Sequence, residues 1–245
     1  MLLVSLTENH NGIYISGDYE DLYFLREAVS NMTGDVSSYE GYEYVHNIVQ
    51  HFVFELLHAY RAERDSFVTR CDTPCYKISM LLPEAVFVAN ALNDYIIFSE
   101  SEDFYVYTMA DRNSSLADRI KERHYIDVAF IRFFQASVWN AVKELVGNEK
   151  FEEIKPYRDF VSICNSKELR YRDYCSEWID ILNIRCINCE ETKEQFILDT
   201  IENLAGKSEE YLKKERAMKE HAKDGNISYY FDLLEEIKYP DEWEW

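Results

Sequence analysis

The chain has 245 residues, enough for one large domain or two small ones and for a sizeable core without disulfides or a structural metal. A 47% hydrophobic content with only seven Gly and four Pro excludes a wholly disordered or collagen-like chain. Its 26 basic residues stand against 46 acidic ones, and the resulting charge of −20 argues against broad contact with nucleic acid or an anionic membrane.

Leu2–Leu6 and Ile13–Ser16 alternate or run apolar, which predicts a β-hairpin turning at His10-Asn11-Gly12. Asp18 or Ser16 caps a helix to about Met32, closed by Gly34. A long helix spans about Tyr39–Arg64 on the stripe Val45, Ile48, Val49, Phe52, Leu56 and Tyr60. Ser66–Thr69 and Tyr76–Met80 predict a second hairpin around Cys71–Cys75. Pro83 opens a helix running to about Phe98. Residues 99–114 read as a loop with a short strand at Phe104–Tyr107. Helical patterning resumes at Ser115 and is strong over Tyr125–Val146, where Gly147-Asn148 is a C-cap signal. Shorter helices follow at about Glu149–Ile154, Tyr157–Ile163, Lys167–Leu182, Glu191–Leu204 and Ser208–Lys223.

The expected fold class is mainly α within α+β: one helical domain over residues 1–245 with one or two small antiparallel β-hairpins on its N-terminal side. Composition shifts near Gly147, and an acidic aromatic tail occupies residues 226–245. The opening apolar run stops at Leu6 without a positive flank, and no stretch approaches the ~18 apolar residues of a membrane span. A cytoplasmic chain with no membrane partner is therefore expected.

Two central helices carry polar residues where apolar ones would serve packing. Glu84–Phe98 is apolar all round except for Asn90, Asn93 and Asp94, which share an arc of about 100°. In Tyr125–Val146, Arg132 and Gln135 lie on one face and Lys143 lies near the same line. If the stripes meet, Asp94 pairs with Arg132, and Asn90, Asn93 and Gln135 complete the hydrogen bonding. The result is either an internal network that fixes helix register or a polar-floored pocket. Such a pocket suits anionic or amide ligands and offers Asp94, Arg132 and His58 as candidate catalytic groups.

The long helix also places His51, Glu55 and His58 on one side of its apolar stripe. That spacing suits a divalent metal or a general base with its orienting acid, and equally a solvated face. Cys71 with Cys75 and Cys186 with Cys189 form two close pairs that together supply four thiolates for zinc. Free thiols are the favoured reading, so no cofactor is expected, with zinc as the alternative. The chain contains no phosphate-binding glycine loop and no recognisable nucleophile motif.

Several segments resemble an uncharacterised bacterial family of the domain-of-unknown-function kind. They are Ile15-Ser-Gly-Asp-Tyr-Glu-Asp-Leu22, His58-Ala-Tyr-Arg-Ala-Glu-Arg64, Pro83-Glu-Ala-Val-Phe-Val-Ala-Asn-Ala-Leu-Asn-Asp94 and Phe134-Gln-Ala136. The resemblance implies a bacterial cytosolic protein, carries no assigned activity, and picks out His58, Arg64, Asn93, Asp94 and Gln135. The leading functional expectation is a non-catalytic accessory protein that docks onto a protein partner or a second copy of itself, using aromatic anchors such as those of the tail. One alternative is a metal-assisted or acid–base hydrolase using the inter-helix pocket. Another is an acidic decoy of a nucleic-acid-binding protein, which would bind no nucleic acid directly.

Overall fold

Two apolar strands joined by a tight turn open the chain. β1 (Leu3–Leu6) runs antiparallel to β2 (Gly12–Gly17), with Leu3 opposite Ser16 and Leu6 opposite Ile13. The left-handed turn residue is His10, at φ 56°, and Gly12 belongs to the strand. A Cβ at Gly12 would sit 2.2 Å from the carbonyl oxygen of Met80, so only glycine permits that approach of the neighbouring strand. The structure, a computed structural model, describes residues 1–34, 42–69, 72–100, 114–158, 178–189 and 191–204, with residues 213, 216, 239–240 and 243–245.

β3 (Asp65–Val68) and β4 (Pro74–Leu81) form the second hairpin, but the two hairpins are not separate units. β4 also pairs with β2 from Gly12↔Leu81 to Gly17↔Tyr76, giving one antiparallel sheet in the order β1-β2-β4-β3. Ile13 lies opposite Met80 and Ile15 opposite Ile78, and all four are buried. An isolated hairpin is marginal in water, so burying this shared face joins the pairs.

α1 (Tyr19–Thr33) begins with a reciprocal cap. Asp21 N–H donates to Asp18 Oδ1 at 3.0 Å and Asp18 N–H donates to Asp21 Oδ2 at 3.1 Å. α2 (Glu43–Tyr60) holds the whole predicted apolar stripe and stops four residues before the expected end at Arg64, with Ala62 beyond it at φ 60°. α3 (Leu82–Glu100) follows β4 without a loop, and Leu82 N–H donates to the Asn11 carbonyl at 3.0 Å. α4 (Ser114–Val146) is one unbroken helix of 33 residues. Gly147, at φ 81°, ends it in the left-handed conformation.

α5 (Asn148–Arg158) runs through Pro156, where a break between Ile154 and Tyr157 is predicted from the sequence. The proline falls in the last turn, so it removes one hydrogen bond and the helix persists. α6 (Ile179–Ile187) continues five residues past the expected end at Leu182, because Ile184 and Cys186 extend its buried face. α7 is Lys193–Leu204. Expectations for Cys71, Cys164, Cys175, Phe104–Tyr107, residues 159–177 and, apart from residues 213 and 216, Ser208–Lys223 lie outside the described residues.

Buried residues from Leu2 to Leu204 form one connected cluster. α3 is its axis, packed against the sheet, α1, α2, α4, α6 and α7, which explains a helix apolar on nearly every side. The described tail residues fold back on the same body. Tyr239 Oη donates to Asp180 Oδ1 at 3.1 Å, and Asn11 Nδ2 donates to the Glu244 carbonyl at 2.7 Å. Among the described residues no helix is long and apolar enough to cross a membrane.

Candidate functional site

Helical spacing builds the site. On α4, Arg132, Gln135, Ala136, Trp139, Asn140 and Lys143 fall at offsets of zero, three, four, seven, eight and eleven, which is one face of a helix. On α3, Ala89, Asn90 and Asn93 form the facing row. Between them lies a cleft of about 520 Å³, closed at one end by Phe151 of α5. Gly147 makes that end possible, because its left-handed conformation turns α5 back so that Phe151 lies 5.7 Å from the Lys143 ammonium.

The floor is tied together by Gln135. Its Nε2 donates to the Ala89 carbonyl at 2.7 Å, and its Oε1 accepts from Arg132 Nη1 at 2.9 Å. These two bonds fix which way the amide points. Arg132 Nη1 also donates to Asn93 Oδ1, so the guanidinium bridges α4 to α3. These bonds use one of the guanidinium nitrogens and leave the rest of the fork for another acceptor. Neither Arg132 nor Lys143 has a carboxylate partner among the described residues. Asn90 and Asn140 likewise have no hydrogen-bond partner there. Trp139, 6% exposed, supplies the apolar floor.

The expected Asp94–Arg132 pair does not form. Asn93 and Asp94 occupy the two edges of the polar arc, about 100° apart, so they face different neighbours. Asp94 is fully buried and accepts from Tyr42 Oη at 2.5 Å, where Tyr42 packs edge-to-face against Tyr95 and Phe98. It belongs to the core on that side and does not line the cleft. Of the five residues the sequence nominates for a pocket, the structure brings Asn90, Asn93, Arg132 and Gln135 together and sets Asp94 apart.

His51, Glu55 and His58 do not converge on a common point. Glu55 accepts a two-pronged pair from Arg64, Nε and Nη2 each at 2.8 Å. The Arg64 guanidinium holds the Glu55 carboxyl below its usual range. His58 Nδ1 turns to Glu63. His51 sits 3.5 Å from Glu84 and 3.9 Å from Glu55, and its contact with Glu84 raises its pKa. Each acid has a basic neighbour, and among the described residues no group of three or more His, Cys, Asp or Glu is placed to hold a metal.

A shared four-cysteine zinc site is also excluded by geometry. Cys75 lies beside the Gly17↔Tyr76 end of the β2–β4 ladder, whereas Cys186 Sγ donates to the Asn11 carbonyl at the Gly12↔Leu81 end. Five residue steps of strand separate those ends by roughly 17 Å, far beyond the reach of one ion. Cys189 donates instead to the Glu191 carbonyl, and burial pushes the Cys186 thiol up to about 12.

Asn140 and Phe151 escape the sequence reading of the site. Asn140 was accessible to it, eight residues from Arg132 on the same face. Phe151 was not, since it reaches the cleft only through the reversal at Gly147. No curated protein and no solved structure matches the chain. The family described as a domain of unknown function, DUF6904, matches residues 2–245, and the chain belongs to that family.

Proposed function

We propose that the protein is a non-catalytic binding protein whose α3–α4 cleft takes an anionic group. One observation carries this reading. On a chain of charge −20, the described residues lining the cleft are two cations, four carboxamides and apolar side chains, with no Asp, Glu, His, Cys, Ser or Thr among them. An arginine fork with free N–H groups suits a carboxylate or phosphate, and the floor fixed by Gln135 holds it ready. The free thiols among the described residues, Cys75, Cys186 and Cys189, agree with a reducing setting.

A hydrolase needs a nucleophile or a general base at the bound group, and among the described residues the lining supplies neither an imidazole nor a carboxylate. The binding reading is therefore preferred. Calorimetric titration of the full chain with inorganic phosphate and with succinate tests it. Saturable binding is expected, weakened about tenfold in Arg132→Gln at unchanged melting temperature. Absence of binding, or binding indifferent to that substitution, overturns it.

A further inference from the structure

Arg132 and Lys143 stand eleven residues apart on one face of α4, about 16 Å along the helix axis. A single small anion cannot engage both. Arg132 bonds Asn93 while Gln135 bonds Ala89, so α3 runs antiparallel to α4 along the cleft. The lining is thereby ordered. The Arg132–Asn93 bridge comes first, then Gln135 opposite Asn90, then Trp139 and Asn140, then Lys143 under Phe151. Carboxamides and one indole lie between two cations.

From this order we infer that the cleft binds an extended acidic peptide segment with two carboxylates about 13 Å apart. This inference rests on the anion-binding reading above. A peptide group carries one donor and one acceptor, and so does a carboxamide. Asn90 and Asn140, unbonded among the described residues, can each grip a backbone unit with two hydrogen bonds. An extended chain advances about 13 Å in four residues, so acids four positions apart reach Arg132 and Lys143 together. Trp139 and Phe151 give an apolar wall for a side chain between the acids. The local charge is opposite in sign to the rest of the protein, and at physiological salt the surrounding acidity is screened beyond about 8 Å.

The test uses the full chain and capped seven-residue peptides containing one phenylalanine. One peptide has glutamates four positions apart, an isomer has them adjacent, and a third has glutamine at both positions. Inorganic phosphate is titrated alongside. The spaced peptide is expected to bind about tenfold more tightly than the isomer and the glutamine version. Lys143→Gln is expected to reduce it to the isomer's level, and Lys143→Arg to retain most of the gain, with circular dichroism showing both variants folded. If phosphate binds but the two isomers bind alike, or Lys143→Gln changes nothing, the peptide inference fails and the anion reading stands. If neither phosphate nor any peptide binds, both fail.

Discussion

The α3–α4 cleft and the outer face of α2 hold similar side chains and arrange them in opposite ways. Each has arginine, and each sits beside amide or acidic groups at helical spacing. On the α2 face each of three acids meets a basic side chain: Arg64 forks onto Glu55, His58 turns to Glu63 and His51 lies against Glu84. In the cleft Arg132 finds only amide oxygens, and Lys143 finds only the face of Phe151 among the described residues. A neutralised cluster has little attraction left for a ligand. A pair of cations facing a cavity retains it. Residue type alone does not separate the two regions, and charge pairing does.

The sharpest way to break that comparison is to remove an apolar residue from each region. Trp139 is 6% exposed and both floors the cleft and joins the core, so Trp139→Ala is expected to cost about 3–5 kcal/mol by urea unfolding. Phe54, on the outer side of α2, is 54% exposed, and Phe54→Ala should stay within about 0.5 kcal/mol. Equal losses would mean that the cleft floor is not built from the core. Gln135→Ala should come next, at about 1–3 kcal/mol, because Gln135 is buried and its amide is bonded at both ends. It should also weaken phosphate binding, since Arg132 loses its brace. A stability loss with affinity intact would place the role of Gln135 in packing alone.

Arg64→Ala is the counterpart on α2. Arg64 is 40% exposed, so solvent screening holds the expected loss below about 1 kcal/mol despite its two bonds to Glu55. Anion affinity measured on the same sample should not change. A drop would show that the two regions are coupled and that charge pairing does not separate them.

Much of the scaffold is written locally. Asp18 with Asp21 announces a capped helix, Gly147 ends α4, and the absence of polar positions in Ala85–Ala89 marks a central helix. The cleft row on α4 is equally local, since Arg132, Gln135 and Lys143 follow from 100° steps. What required the folded chain is pairing across distance. The junction of the hairpins depends on Ile13 meeting Met80, some 67 positions away. The fate of Asp94 depends on Tyr42 arriving on its side of α3, and Asn93 looks no different from it in sequence. The His51, Glu55 and His58 row is real as a face, but Arg64 in the turn after α2 and Glu84 of α3 decide what it does.

The smallest expected effect concerns that face and carries a sign. Contact with Glu84 raises the His51 pKa above its ordinary 6.5. The folded state therefore binds the proton more tightly, and the stabilisation is fully present below pH 6.5 and is lost as pH rises through the raised value. Arg64 lowers the Glu55 pKa below its ordinary 4.5, so that contribution is present above 4.5 and is lost as pH falls through the lowered value. The α2 face should contribute most between those limits. His51 is 64% exposed, which keeps its share under about 1 kcal/mol. Urea unfolding of the natural chain and of His51→Gln, run below pH 6.5 and again well above it, reads the difference directly. The gap between them should close as pH rises. A gap that widens or stays level would show that His51 gains nothing from Glu84, leaving Glu84 as an uncompensated acid and weakening the contrast with the cleft.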